Sequence, residues 1–477
     1  MISTVSFLTV VKQTRKKWVK DFMLDYFEII CLISFALTSN YCQIIGNMSA
    51  EGDVPVPVPD EVVESSASSS KRTKIPLLTN PLAGDSLLQM TTILPTLPFE
   101  LITDILSRLP VKSLMKFKCV CKPWNSLISD RKFARKHFRM STMNPNLILK
   151  SKNYSPEFTH TFYPLHSIFT NFTTTDGTDI KSPLHGEITC EECIHIVDSC
   201  DGIFCLTQDD CPPYTKNIAV LWNPSIRKYK ILPPLKNPCT KRDGNGKSKT
   251  VYGFGYDQIS DNYKVVSVFR YKCGSSNNGI TTYKTKTQVK VHTLGTNSWR
   301  LIDGFPYGGS CKFHFGSGKF VSGTINWLIS IAGLNTLPHI LSLDLGTESY
   351  QEILQPDYGD EGVRKVNYLT FEILRDCLCF LRGHDCGQDI WLMKEYGNRD
   401  SWTKFATVPH MDSFMCRNPL YISEDDQVLV MLLCMTTYIW KLVVYDSING
   451  IFKSPDIKTN DSICSEIYVE SLISPCS

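Results

Sequence analysis

Cysteine and histidine side chains are concentrated in one short segment that could bind a metal ion. The segment "CEECIHIVDSC" carries Cys190, Cys193, His195 and Cys200, and its Cys-x-x-Cys spacing is compatible with zinc. No second well-spaced pair follows, although structural zinc sites use four ligands. A loop between strands explains the segment equally well, so we expect neither a metal ion nor another cofactor.

Glycine-rich segments that could hold phosphate are incomplete. The segment "GNGKS" at 244–248 resembles the end of a phosphate-binding loop. Such a loop needs its first glycine five residues before Gly246, and position 241 is lysine. "GFG" at 253–255 lacks the third glycine of the dinucleotide fingerprint. The chain has no His-Glu-x-x-His motif and no Gly-x-Ser-x-Gly motif. The sequence therefore predicts no catalytic residues and a non-enzymatic protein.

The composition is that of a soluble globular protein of two or three domains. The chain has 477 residues, 42% hydrophobic and 20% charged, with a formal net charge of +3. With no long basic stripe in the sequence, we expect no nucleic-acid partner. The 19 cysteines are spread through apolar runs, as expected of thiols in a reducing compartment. We expect the protein in the cytoplasm, the nucleus or both.

Residues 1–92 are predicted to be a disordered or uncertain N-terminal extension. A basic cluster precedes the apolar run 29–37, which is about half the length of a membrane span. Three explanations remain open: Met48 as the working initiator, a membrane or targeting segment, and an extra helix. From Met48 to about Thr92 the sequence is rich in Pro, Ser and charge, which is typical of a flexible tail. We expect no membrane association.

Between residues 93 and 140 the apolar pattern becomes that of short helices. In "LPFELITDILSRLP" the apolar side chains recur on one helical face, and the last proline ends the helix. A second helix is predicted in "VKSLMKFKCVC", and a third begins at Pro123. Asp130 can cap one or two further turns. A unit this small rarely has a sufficient core, so its apolar faces must pack on the rest of the chain or on another protein.

This helical segment resembles the F-box, most closely its large plant class. The Leu-Pro start, the centre "ILSRLPVKSL", the segment "FKCVCK" and the tail beginning "LISD" all match in order. The resemblance implies a three-helix, all-α domain that docks on the Skp-type adaptor of a cullin-based ubiquitin ligase. The family usually has Ser-Trp-Arg where this chain has Pro-Trp-Asn at 123–125. The implied adaptor-binding residues are Leu97, Pro98, Leu101, Ile105, Leu106, Leu109, Pro110, Leu114, Val120, Cys121 and Trp124.

Residues 144–475 carry a repeat of about 50 residues in a β-type sequence. An apolar strand, a turn and a bulky aromatic residue recur. The aromatic residues are Tyr229, Trp299, Tyr350, Trp402 and Phe452. A second set of marks precedes them at a nearly constant interval: Ile203, Tyr263, Ile325, Cys377 and Gln427. Two spacings are longer than the rest, from Tyr229 to Trp299 and from Tyr263 to Trp299. They coincide with polar stretches that we interpret as insertions, "KNPCTKRDGNGKSK" and "KCGSSNNGITTYKTK".

A repeat of this length with short strands predicts the blades of a kelch-like β-propeller. Five copies are visible, and residues near 146–165 can complete a sixth blade together with the terminal "EIYVESLIS". We favour six blades over seven. The region also resembles the F-box-associated, kelch-like domain, although the double glycine of kelch repeats is largely missing. The whole chain is thus an α+β multidomain protein, an F-box followed by a propeller.

The leading functional interpretation is the substrate-recognition subunit of an SCF-type (Skp-cullin-F-box) ubiquitin ligase. The F-box would bind the adaptor and through it the cullin, and the propeller would bind an unknown protein target for ubiquitination and degradation. Two alternatives remain open. One is an enzyme carried by the propeller, and the other is an F-box scaffold that acts outside a ligase.

Overall fold

The computed structural model describes residues 98–140, 145–152, 158–170, 177–181, 183, 194–208, 218–237, 249–277, 280–309, 311–313, 316–331, 338–358, 368–411, 414–457 and 462–476. The chain divides into two compact units, Met1–Ile102 and Thr103–Ser477. The predicted N-terminal extension lies outside the described residues, and so do Leu97, Cys190 and Cys193.

Four short helices open the described chain. They are α1 (Phe99–Leu106), α2 (Val111–Phe117), α3 (Lys122–Ser129) and α4 (Arg131–Met140). The predicted cap of α4 is confirmed, because the Asp130 carboxylate accepts a hydrogen bond from the backbone N–H of Phe133 at 2.9 Å. The region has four helices rather than the predicted three, since the expected turn or two after Asp130 extends to ten residues. Phe133, Ala134 and His137 bury one face of α4, which holds it in helical form.

The rest of the described chain forms six antiparallel sheets. In chain order their strands are β1 (Pro145–Lys152), β2 (Phe158–Pro164), β3 (Thr178–Lys181), β4 (Ile194–Cys200), β5 (Ile203–Gln208), β6 (Ile218–Asn223), β7 (Lys228–Ile231), β8 (Lys249–Asp257), β9 (Asn262–Asn277), β10 (Ile280–Thr293), β11 (Arg300–Ile302), β12 (Cys311–Phe313), β13 (Lys319–Val321), β14 (Thr324–Ile331), β15 (His339–Asp344), β16 (Tyr350–Ile353), β17 (Tyr368–Leu374), β18 (Cys377–His384), β19 (Gly387–Met393), β20 (Trp402–Pro409), β21 (Phe414–Ile422), β22 (Gln427–Cys434), β23 (Trp440–Asp446), β24 (Ile451–Lys453) and β25 (Ser462–Val469). A short helix, α5 (Leu165–Thr170), follows β2.

Each sheet is one blade of a propeller. We number the blades in chain order: blade 1 is β4–β7, blade 2 is β8–β11, blade 3 is β12–β16, blade 4 is β17–β20 and blade 5 is β21–β24. Blade 6 combines the two ends of the region in the order β25-β1-β2-β3. The prediction of six blades with a shared closing blade is therefore confirmed.

The closing blade is held by main-chain pairing and by a side-chain latch. β1 and β25 pair antiparallel, with Leu147 opposite Ile467. Beyond β25 the amide of Asn223 in blade 1 donates hydrogen bonds to the carbonyls of Ser471 (3.0 Å) and Ile473 (2.8 Å). Asn223 and Ser471 are both fully buried, so these bonds have little competition from water.

The repeat in the sequence coincides with the blade architecture. Four of the five aromatic marks lie in the outermost strands β7, β16, β20 and β24, and Trp299 directly precedes β11. The second set of marks falls on the first or second residue of the second strand of each blade, counted from the centre, in blades 1, 2, 4 and 5, and of β14 in blade 3. One of the two polar stretches interpreted as insertions forms strand. Residues 272–277 and 280–286 extend β9 and β10 into a long hairpin.

The core lies between neighbouring blades. One cluster joins Val266 of blade 2 to Trp327 of blade 3, and another joins Leu381 of blade 4 to Val430 of blade 5. Strands such as β5 are buried at every residue because neighbouring blades cover both of their faces. This explains why they appear in the sequence as continuous apolar runs. Within the described residues, no helix has the length and apolar character that a membrane crossing requires.

Candidate functional site

The predicted adaptor-binding residues differ sharply in exposure. Four are buried: Leu106, Leu109, Leu114 and Trp124. Ile105 and Cys121 are partly exposed, and the exposed members are Pro98, Leu101, Pro110 and Val120. The sequence pattern did not separate the residues that lie in the core from those that are exposed, whereas the structure does.

The buried members belong to the interior of the helical region. The Trp124 ring packs edge-on against Phe117, with ring centroids 5.4 Å apart. The ring Nε2–H of His137 in α4 donates a hydrogen bond to the carbonyl of Leu109 at 2.7 Å. Burial lowers the pKa of His137, which keeps this ring neutral near pH 7. Changes at these positions would therefore act on folding before they act on binding.

Two of the exposed members are large and apolar. Leu101 in α1 is 49% exposed, and Val120, which follows α2, is also 49% exposed. Full burial of such a side chain contributes roughly 1.5–3 kcal/mol. Each can therefore still contribute free energy by burial against another protein.

The departure from the usual F-box sequence at 123–125 causes no distortion of α3. Pro123 lies in the first turn, where its missing N–H has no intrahelical partner. Asn125 is exposed, so it occupies a surface position on the helix.

Helix α4 is fastened to blade 2 through Arg135. Its guanidinium carbon lies 4.3 Å from the centroid of the Tyr256 ring and 5.9 Å from that of Tyr263. The guanidinium also donates to the Tyr256 hydroxyl and pairs with the Asp261 carboxylate. Arg131, one helical turn earlier, lies 3.6 Å from the same carboxylate. These contacts hold α4 against blade 2.

Electrostatics favour this junction. The hydrogen bond from the Tyr256 hydroxyl, together with Arg135 and Arg131, lowers the pKa of Asp261. Asp261 has a φ of +51° in the turn between β8 and β9, a conformation that Asp adopts more readily than most residues. Sequence reasoning did not find this junction. Its one available signal was the four-residue spacing of Arg131 and Arg135, which places both on one helical face.

The innermost strands of all six blades surround a central channel of about 450 Å³. Lys319 of blade 3 projects into it and pairs with Glu372 of blade 4 at 2.7 Å and with Glu466 of blade 6 at 3.9 Å. Asp198 of blade 1 accepts hydrogen bonds from the backbone N–H groups of Phe320 and Ser199, both at 2.9 Å. One ammonium group and three carboxylates thus connect four blades.

The charges of this network influence one another. Burial raises the pKa of Asp198 to about 7, against the pull of Lys319. Burial also raises the pKa of Glu466. For Lys319 burial acts downward, but Glu372, Glu466 and Asp198 outweigh it and hold the pKa well above its usual value. The lysine is therefore charged at all ordinary pH values, while Asp198 titrates near neutrality.

This arrangement is suited to holding the ring together. Its charged groups pair with one another across blades, and within the described residues no three His, Cys, Asp or Glu side chains are placed to hold a metal ion. Among the four candidate zinc ligands, His195 and Cys200 are described and lie on β4. Sequence patterns did not reveal the network, because its members lie in four different blades.

Comparison with known proteins agrees with both parts of the chain. A family model for the F-box domain matches residues 94–136, and one for the F-box associated beta propeller domain matches residues 136–475. The chain belongs to the F-box proteins with an F-box-associated propeller. It is 30% identical over 394 residues to F-box/kelch-repeat protein At3g23880 of Arabidopsis thaliana, covering 80% of this chain and 96% of that protein. It is 27% identical over 397 residues to F-box protein CPR1 of the same plant, covering 80% and 89%.

Proposed function

We propose that this F-box protein is the substrate receptor of an SCF-type ubiquitin ligase. The F-box binds a Skp-type adaptor and through it a cullin, and the propeller binds a protein that is then ubiquitinated and degraded. The chain itself catalyses nothing; it raises the effective concentration of the target near the ubiquitin-transferring subunits.

The observation that carries the proposal is the exposure of apolar F-box residues. Leu101 and Val120 are each about half exposed, although Leu106 and Leu114 close by in sequence are buried. Single exposed apolar side chains also occur on the propeller, for example at Ile448. The position of Leu101 and Val120 within the segment that matches the F-box model is therefore what supports adaptor docking. The fastening of α4 through Arg135 adds support, because a receptor must hold its target in a fixed direction from the adaptor.

Adaptor binding is tested with the full chain and an immobilised plant Skp-type adaptor. Leu101→Asp places a charge in the proposed contact, and we expect at least about a tenfold loss of affinity, since 1.4 kcal/mol corresponds to tenfold. Ile448→Asp is the matched control, because Ile448 is 77% exposed on a propeller turn. Thermal unfolding verifies that both variants fold. Equal binding by Leu101→Asp and the unaltered chain would refute the docking surface.

Ligase function is tested by adding the cullin, its RING partner and the charged ubiquitin carrier. We expect ubiquitin transfer to the receptor, or to proteins bound by it, that depends on the adaptor and disappears with Leu101→Asp. Adaptor binding without any transfer would favour the alternative of an F-box scaffold outside a ligase. Turnover by the chain alone would favour an enzyme in the propeller. Imaging of the tagged protein tests the proposed location in the cytoplasm or nucleus.

A further inference from the structure

The second and third strands of blade 2 are far longer than the strands beside them. β9 has 16 residues and β10 has 14. Their partners end early, since Lys249, the first residue of β8, is opposite Arg270, and β11 pairs only with Val289–Val291. Beyond Arg270, residues 271–277 pair with 280–286 and, within the described strands, with no others. We call this two-stranded extension the ribbon.

The ribbon projects from the side of the ring opposite α4. The turn between β8 and β9 contains Asp261, which contacts Arg131 and Arg135 of α4. β9 starts at this turn and reaches the ribbon at its other end. At about 3.3 Å per residue, its 16 residues span roughly 50 Å. The ribbon therefore lies on the side of the propeller opposite α4. A partner bound at the helix side would leave this side free.

Three innermost strands, β4, β8 and β17, begin on this same side. Each follows a long connection between blades in the sequence, namely residues 182–193, 232–248 and 354–367. The turns at the helix side, such as those at 201–202, 322–323 and 375–376, are short. Binding surfaces on rigid scaffolds are commonly built from the longer and more variable connections. The side that carries the ribbon is therefore the better suited to bind a target.

The charge of the ribbon and its base is positive only. From residue 262 to residue 302 the chain contains no Asp or Glu. Lys272, Lys284 and Lys286 are exposed, and the structure shows no ion pair for them with a described carboxylate. Sequence analysis did not reveal this patch, because Lys272 lies on β9 whereas Lys284 and Lys286 lie on β10. Only the pairing of the two strands brings them together. Tyr271 is directly opposite Lys286, which places both side chains on one face of the ribbon.

Two aromatic side chains lie beside the lysines, where the ribbon joins blade 2. The rings of Phe269 and Tyr271 stack at 5.3 Å with an interplanar angle of 15°. Lys284 shares their face because it pairs with Cys273, two residues after Tyr271. Gly309 supports the ribbon backbone, since a Cβ there would lie only 1.8 Å from the carbonyl oxygen of Thr285. The ribbon is thus an anchored surface with a cationic face.

We propose that the ribbon of blade 2 docks an acidic segment, rich in Asp and Glu, of the protein that the propeller binds. Carboxylate runs fit because the exposed cations are lysines, which act as point charges. The planar forks that arginine offers to phosphate are absent from this exposed set. Complementary charge at this site raises the rate of encounter and selects acidic partners. The inference rests on the proposed function for the identity of the partner as a ligase target.

The test measures binding of a fluorescently labelled oligoglutamate peptide to the full chain in complex with the adaptor. The variant Lys284→Glu/Lys286→Glu reverses two exposed charges on the ribbon. Arg227→Glu/Lys394→Glu is the matched control, with the same change in net charge at exposed positions on turns of the helix side. We expect roughly a tenfold loss of affinity at low salt for the ribbon variant and less than about twofold for the control. Added salt should weaken binding to the unaltered chain.

Each outcome has a defined meaning. Equal losses in both variants, or no loss in the ribbon variant, would overturn the inference. A single-stranded oligonucleotide of the same charge that binds more tightly than the peptide would also overturn it, in favour of nucleic acid. Adaptor binding, measured on the same samples, separates this inference from the proposed function. If the chain binds the adaptor but not the peptide, the ribbon inference is wrong and the proposed function is unaffected. If the chain binds the peptide but not the adaptor, the proposed function is wrong.

Discussion

Replacement of Lys319 by Met should weaken the propeller in a pH-dependent way. The change keeps most of the side-chain volume but removes the ammonium group that faces Glu372 at 2.7 Å and Glu466 at 3.9 Å. Removing one partner of a buried ion pair typically costs about 3–5 kcal/mol. Because the Lys319 side chain is 17% exposed toward the channel, we expect the lower end, about 3 kcal/mol at pH 8.

The cost should decrease at lower pH. Asp198 has a pKa of about 7 in the folded protein, above its unfolded value of 3.8, and loss of the lysine raises it further. The folded variant then binds more protons than the unfolded chain, so its stability falls as pH rises through this range. At pH 5, where Asp198 is neutral, we expect a remaining cost of about 1–2 kcal/mol, since one pKa unit is worth about 1.4 kcal/mol.

Urea unfolding followed by tryptophan fluorescence at pH 5 and pH 8 measures both values. Lys394→Met is the matched control, because Lys394 is exposed, and it should change stability by less than about 0.5 kcal/mol. The double variant Lys319→Met/Glu372→Gln should recover part of the loss at pH 8, because it removes one unpaired carboxylate. A cost that is equal at the two pH values, or a double variant no more stable than the single one, would refute the reasoning.

Three further changes test other parts of the structure. Asp130→Ala removes the cap of α4 and should cost about 1 kcal/mol in urea unfolding, whereas an unchanged midpoint would show that the cap contributes nothing. Arg135→Lys keeps the charge but loses the planar contact with Tyr256; amide exchange in α4 should accelerate about tenfold, and unchanged exchange would contradict the fastening role. Burial and the nearby Lys150 lower the pKa of His160 to about 3, so this ring lowers stability as pH falls from 6.5 toward 3. His160→Phe should reduce that loss, as thermal unfolding across this range would show, and a variant as acid-sensitive as the unaltered chain would contradict the assignment.

The sequence predicted the ring well because the two middle strands of blades 1, 3, 4 and 5 are buried along nearly their whole length. Such strands appear as apolar runs, and the aromatic residues at the outer strands repeat with the blades. The ribbon was not predicted, because its strands are not covered by neighbouring blades and carry no apolar pattern. Its strand "TTYKTKTQ" has no apolar alternation, so nothing in its pattern distinguishes it from a polar insertion.

The candidate sites show a similar division. The F-box positions followed from a local motif, but the motif could not tell Leu106, which is buried, from Leu101, which is exposed. Lys319 and its carboxylate partners lie in separate repeats, and their pairing depends on how the blades are arranged around the axis. Arg135 and Asp261 are also distant in sequence. Contacts of this kind arise from the fold, so local pattern reasoning does not reach them.

The sharing of blade 6 between β1 and β25 has a consequence for synthesis. A ribosome completes the F-box helices first, then releases β1 long before its partner β25. Until β25 emerges, one edge of β1 has no strand to pair with and stays open to wrong partners. Ring closure must wait until β25 has been synthesised, and a chain that stops before β25 keeps its F-box but loses the strand that closes the propeller. Such a product would be a receptor able to occupy the adaptor while unable to present a target.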